Sequence, residues 1–194
     1  MHLKTLLRFI LLIVGFTLLL IFFYSLTEIS NQGNSIVLKQ EQPSFGLPIR
    51  LKIPDINVDS AIEYTGLTFD GIMDSPKAIE NVAWFKLGKR PGEKGTAVIA
   101  GHYGWENGEA AVFNNLYKLK RGDKIYIEDD KGMIISFVVR ESKRYDPKAD
   151  ASDVFTSYDG KSHLNLITCI GVWDKTAQSY SERLVMFTDK ENDN

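Results

Sequence analysis

The 194-residue chain has one cysteine, Cys169, so no disulfide can close within it and its folded body must stand on a hydrophobic core. Basic blocks are also missing. Lys and Arg number 23 against 25 Asp and Glu, a formal net charge of -2, which argues against a nucleic-acid partner. No pattern repeats at a fixed period, and long helical periodicities are absent from the body of the chain. What is plentiful is apolar surface: 44% of residues are hydrophobic, which excludes a disordered body.

Charge is absent from one further place. Residues 9–27, FILLIVGFTLLLIFFYSLT, contain no charged side chain. As a helix rising about 1.5 Å per residue, this stretch matches a hydrocarbon core of roughly 30 Å. Lys4 and Arg8 precede it and Glu28 follows it, so the positive-inside rule keeps the N-terminus in the cytoplasm and puts the body outside. A cleaved signal peptide would have a shorter apolar core and a small-residue cleavage site, and YSLTEISNQ offers none. The expected organisation is a cytoplasmic stub and transmembrane anchor over residues 1–27, a polar extracellular linker over 28–46, and a folded domain over 47–194.

Beyond the linker, short β-rich runs alternate with turn signals. IRLKI alternates apolar and polar residues before Pro54-Asp55, and VDSAIEYTG follows it. GTAVIAG is a buried-strand pattern with glycine at both ends. DKIYIEDD and GMIISFVVRES flank Asp130-Lys131-Gly132, a hairpin signal. LNLITCIG and ERLVMFTD close the domain. Only short helices fit: residues 110–119, with Phe113, Leu116 and Tyr117 at helical spacing, and a second within DASDVFTSY. Many short strands with Gly-rich turns indicate an all-β barrel or sandwich.

Cys169 stands in an uncharged strand, where most cysteines are packing. As a nucleophile it would need a cationic neighbour to raise its thiolate fraction. His102 directly follows GTAVIAG, at the mouth of a buried strand. His163, beside Ser162 and Lys161, reads as a solvated turn residue, and His2 precedes the anchor. Arg183 opens the last apolar strand and brings a permanently charged, multi-donor guanidinium suited to an oxyanion. Each residue also has a bland reading: packed thiol, structural histidine, surface arginine. Spacing alone does not choose.

Three motifs together resemble those of the sortases, membrane-anchored cysteine transpeptidases of Gram-positive bacteria. NLITC (165–169) resembles the family's TLxTC signature, AVIAGHYG (97–104) its strand ending in the catalytic histidine, and ERLVMFT (182–188) its strand beginning with the catalytic arginine. The order His, Cys, Arg is the family order, and the similarity runs from about residue 51 to 189. Asn165 departs from the pattern by standing where the family usually has Thr, while Thr168 is retained. LITC followed by GVWD looks most like the class F group. No inhibitory lid precedes the core, and MDSPK (73–77) reads as a turn within the domain.

The resemblance implies an eight-stranded β-barrel with short helices behind the N-terminal transmembrane helix. It also implies transpeptidation on an LPxTG-like sorting signal of surface proteins, with Cys169 as nucleophile, His102 as acid and base, and Arg183 as oxyanion donor. The acceptor would be an amine of a peptidoglycan precursor or of another protein. Thr168 and Ala100 are the expected substrate-binding residues of the site, joined by Val154 and Phe155 in the recognition loop over 143–163. Those two apolar residues suit either a peptide's Leu-Pro portion or the barrel itself. No cofactor is expected. Some members use calcium, for which Asp146, Asp150 and Asp153 are on offer, although acidic loops are ordinarily only solvated. Two rivals stay open: a wall-associated cysteine peptidase with water as acceptor, and an anchored, non-catalytic β-domain.

Overall fold

The computed structural model describes residues 14–24 and 44–191. Residues 14–24 form helix α1, exposed along its length. It lies within the predicted anchor, both ends of which fall outside the described residues, as do the stub and residues 28–43 of the linker. Among the described residues, no helix is long and apolar enough to cross a membrane.

The strands of the body run in chain order β1 (Pro48–Ile53), β2 (Val58–Thr65), β3 (Val82–Phe85), β4 (Gly95–Gly101), β5 (Trp105–Glu106), β6 (Glu109–Ala110), β7 (Lys124–Asp129), β8 (Ile134–Tyr145), β9 (Ser162–Asp174) and β10 (Ser179–Lys190). Eight of them close a barrel in the order β1-β2-β3-β4-β9-β10-β8-β7, and β7 pairs back onto β1. β5 and β6 form a separate small hairpin. The period-two alternation read from the sequence fills the interior. Leu51 and Ile53, Ile125 and Ile127, Ile135 and Phe137, Leu164 and Leu166, and Leu184 and Met186 all turn into one buried cluster.

Two pairings are parallel, β2 with β3 and β4 with β9. Parallel neighbours cannot be joined by a tight turn, so each needs a long crossover. The β2–β3 crossover spans 66–81, and the chain between β4 and β9 includes the 146–161 loop with helix α2 (Ser152–Phe155). These two crossing segments are what shape the site.

The hairpin predicted at Asp130-Lys131-Gly132 joins β7 to β8, with Gly132 at φ 78°. The buried Asp129 carboxylate accepts the N–H groups of Lys131 (3.0 Å) and Met133 (2.8 Å), and also that of Gly46 (2.7 Å). Phe45, which the sequence reading leaves in the linker, is buried in the core. The packed unit accordingly begins at Ser44.

Two expectations change. The eighth strand, β3, has four residues that are apolar on both faces, so no alternation marks it. The helix expected over 110–119 shrinks to a 3₁₀ turn at Leu116–Lys118. Its first residues bond back to the end of β4 instead: Ala111 N–H donates to the Gly104 carbonyl (2.9 Å) and Phe113 N–H to the His102 carbonyl (3.0 Å). The helical spacing was still informative, because Phe113 and Leu116 are fully buried while Tyr117 is exposed.

Candidate active site

β9 turns Leu164, Leu166 and Ile170 into the core, so the alternate residues Ile167 and Cys169 face the outer wall of the barrel. In β10 the inward residues are Leu184 and Met186, and Arg183 and Val185 face outward. Register then makes the first contact: Arg183 is the direct cross-strand partner of Cys169. A register shift between Tyr180 and Glu182 sits one step away, opposite Gly171 at φ 93°. A Cβ on Gly171 would lie 2.4 Å from Ser181 Oγ, so the glycine of LNLITCIG makes this bulge possible.

β4 runs parallel to β9 on the other side, with Ala100 beside Ile167. Carrying that register two residues on brings His102 alongside Cys169. A buried hydrogen bond from Thr168 Oγ1 to the Gly101 carbonyl (2.7 Å) pins the two strand ends together. Gly101 itself has no room for a side chain, since a Cβ would lie 2.4 Å from the Phe113 ring.

His102, Cys169 and Arg183 thus line one cleft of roughly 440 Å³. Ala100, Phe155 and Val185 form part of its apolar floor, the β2–β3 crossover one bank (Leu67, Ile72, Asp74) and Tyr145 with Ala149 the other. A second hollow of roughly 480 Å³ opens on the opposite side of His102 and Cys169, walled by Tyr103, Trp105, Trp173 and Tyr180 with Glu106 at its edge. Tyr180 meets Tyr103 and Trp173 edge-on at centroid distances of 5.2 and 5.1 Å.

The Cys169 thiol is half-buried, and this burial pushes its pKa up while the Arg183 charge pulls it down. Arg183 is held from behind. Nη1 donates to the carbonyls of Tyr180 (3.0 Å) and Glu182 (3.1 Å), and Nη2 to Ser179 Oγ (3.2 Å). The Nε–H and one Nη2–H have no acceptor among the described residues, which leaves a two-donor fork of the kind an oxyanion accepts. His102 Nε2 lies 2.7 Å from the carbonyl oxygen of Pro76. That nitrogen is therefore occupied, and Nδ1 is the one left to exchange a proton at the reaction centre.

The remaining predicted residues divide. Phe155 lines the cleft and packs edge-on against Phe85 at 5.6 Å. Val154, open in the sequence to either a peptide or the barrel, has no exposed surface; it packs with Val185 and Phe187 behind the wall. Asn165, the departure from the sortase pattern, donates from Nδ2 to the Val154 carbonyl (2.7 Å) and so ties β9 to the 146–161 loop. His163 is no solvated turn residue: it is buried at the start of β9, with Nδ1 2.8 Å from Asp189 and Nε2 3.0 Å from Asp159.

The acidic residues of the loop are engaged locally. Asp146 accepts Lys148 N–H, Asp150 accepts Ser152 N–H, and Asp153 accepts the Tyr145 hydroxyl at 2.7 Å. Among the described residues, no group of three or more His, Cys, Asp or Glu side chains is placed to hold a metal ion. Sequence reasoning missed the crossover bank and the aromatic hollow. MDSPK is more than a turn, for Asp74 lines the cleft and Pro76 holds the histidine.

A thiol opposite a guanidinium, with an imidazole lining the same cleft, is the equipment of a thiol-dependent enzyme on a β-barrel. The sortase-domain family profile matches residues 51–191, and the chain belongs to the sortase family. Among solved structures it is similar to sortase C-1 of Actinomyces oris, at 25% identity over 75% of this chain and 76% of that one, with a TM-score of 0.60. Sortase C1 of Streptococcus agalactiae, in its complex with MTSET, matches at 26% identity over 75% and 67%, with a TM-score of 0.59. A lid mutant of sortase A from Corynebacterium diphtheriae shares the fold at 21% identity over 81% and 76%, with a TM-score of 0.60. No curated protein sequence matches the chain.

Proposed function

We propose that this sortase is a cysteine transpeptidase that cleaves an LPxTG-like sorting signal and passes the acyl group to an amine. The observation that carries the reading is the convergence of Cys169, His102 and Arg183 on one cleft with an apolar floor. The Cys169 thiolate attacks the Thr carbonyl, and the Arg183 fork receives the charge developing on its oxygen. His102 Nδ1–H protonates the departing glycine amine, which leaves a thioacyl enzyme. The neutral imidazole then takes a proton from the incoming amine as it attacks the thioester, and the thiolate departs. With the donor peptide in the 440 Å³ cleft, the aromatic hollow gives the acceptor its own approach to the same sulfur.

The acceptor amine belongs to a peptidoglycan precursor or to another surface protein. The enzyme acts outside the cell, tethered by residues 1–27 in a single pass. Tethering concentrates it where its substrates are also held.

Incubation of an LPxTG peptide with and without triglycine, followed by mass analysis of products, tests the reading. A ligated product that requires Cys169 is the expected result. Hydrolysis that no amine diverts would reassign the protein as a peptidase. Unaltered function of Cys169→Ala in cells would make it a non-catalytic domain.

A further inference from the structure

The partner of His102 is a backbone carbonyl, and the other half of that peptide group is also engaged. Pro76 O lies 2.7 Å from His102 Nε2. Lys77 N–H, in the same planar unit, donates to Glu63 Oε2 at 2.8 Å. No peptide bond among the described residues is cis, so this carbonyl and N–H point to opposite sides of one rigid plane. Glu63 on one side thereby aims the carbonyl at the imidazole on the other.

The carboxylate is built into place. Its second oxygen accepts Ala78 N–H (3.3 Å) and Asn81 Nδ2 (2.9 Å). Glu63 sits on β2, whose parallel pairing with β3 fixes its backbone. The rest of the crossover is fastened too: Ser60 Oγ donates to the Glu80 carbonyl (2.9 Å), and Val112 N–H to the Ile79 carbonyl (2.9 Å). The amide of Lys77 also holds the Glu63 carboxyl below its ordinary range, so it is an anion at neutral pH.

We infer that Glu63 is the positioning residue of the catalytic histidine, acting through the Pro76–Lys77 peptide as a carboxylate–peptide–imidazole relay. An anion accepting the N–H polarises the amide and strengthens the carbonyl as an acceptor. The carbonyl then keeps the proton on Nε2 of neutral His102, leaves Nδ1 as the base, and stabilises the imidazolium when Nδ1 is protonated. The relay does the work of the carboxylate in a Ser-His-Asp triad at one peptide's remove. Its kinetic consequence rests on the transpeptidase reading; its structural content does not.

The test is nitrogen-15 NMR of the His102 ring together with kinetics of Glu63→Gln on an LPxTG peptide with triglycine. Gln offers the Lys77, Ala78 and Asn81 donors one oxygen in place of two and adds an NH₂ that faces them. The wild type should show neutral His102 as the Nε2–H tautomer, and the variant should lose that preference. Its kcat should fall about tenfold, part of what acid–base catalysis contributes, while KM for the donor peptide stays in place. An unchanged ring pattern with unchanged kcat in the variant would overturn the relay. So would an Nδ1–H tautomer in the wild type, a result that does not depend on the variant folding. A wild type without Cys169-dependent transfer would remove the transpeptidase reading and leave the tautomer measurement standing.

Discussion

At the scale of residues, the chemistry rests on a thiol that is hard to ionise. Burial of Cys169 favours the neutral form, and the Arg183 charge opposes it. The sign is definite: alkylation of Cys169 should accelerate as pH rises past the ordinary thiol range near about 8.5. In Arg183→Ala the same rise should move to still higher pH, as iodoacetamide kinetics followed by mass spectrometry would show. A shift downward would mean that Arg183 does not act on the thiol. Arg183→Lys retains the charge and loses the fork, so kcat for acyl transfer should drop about a hundredfold. Near-wild-type turnover would remove Arg183 from the oxyanion role. The sequence offered Cys169, His102 and Arg183 only as candidates, and the resemblance of three motifs to those of the sortases chose them. It did not show Pro76, since a backbone carbonyl has no residue signature.

Elements decide whether those groups meet. β4 must end against β9 for His102 to reach Cys169, and the Phe113 ring fills the space beside Gly101 that a methyl group would need. Gly101→Ala should therefore overpack the strand end and cost about 1–3 kcal/mol, read as a lower thermal midpoint. It should lower acyl transfer more than Gly66→Ala, where an added Cβ meets nothing closer than 3.6 Å. The alternation of β1, β7, β8, β9 and β10 was legible because one face of each meets a core. β3 was not, because four apolar residues in a row, three of them buried, carry no period. The helix expected over 110–119 failed for a different reason: its first N–H groups found acceptors at the end of β4 before they could be used within a helix.

For the whole molecule, stability has contributions that a strand-by-strand reading leaves out. Phe45 is buried, its carbonyl accepts Arg90 Nη1 (3.0 Å), and Gly46 N–H donates to Asp129. A fragment starting at Ser44 should be more stable than one starting at Leu47 by about 2 kcal/mol from the aromatic ring alone, measurable by urea denaturation. The second contribution is pH-dependent. His163, bracketed by Asp159 and Asp189, holds the Asp159 carboxyl far below the usual carboxylate range. A lowered folded-state pKa gives stability that is present above the unfolded Asp value, near about 3.9, and is lost as pH falls below it. Thermal midpoints should therefore fall on acidification below about pH 4, and Asp159→Asn should flatten that dependence. An unchanged slope would show that the pair contributes nothing to folding.

What the sequence by itself determined was everything carried by local pattern: the strands with one buried face, the Gly132 turn, the uncharged N-terminal stretch, and the three motifs whose resemblance to the sortases marked Cys169, His102 and Arg183 as candidates. Tertiary structure alone decided the pairings between segments far apart in the chain. It set Arg183 directly across from Cys169, moved His163 from surface to interior, decided between cleft and barrel for Val154 in favour of the barrel, and laid the 66–81 crossover beside the histidine. The reason is physical. A residue's face within its own strand follows from the two-residue period, whereas its neighbour across the barrel depends on register, bulges and crossovers that no single segment encodes.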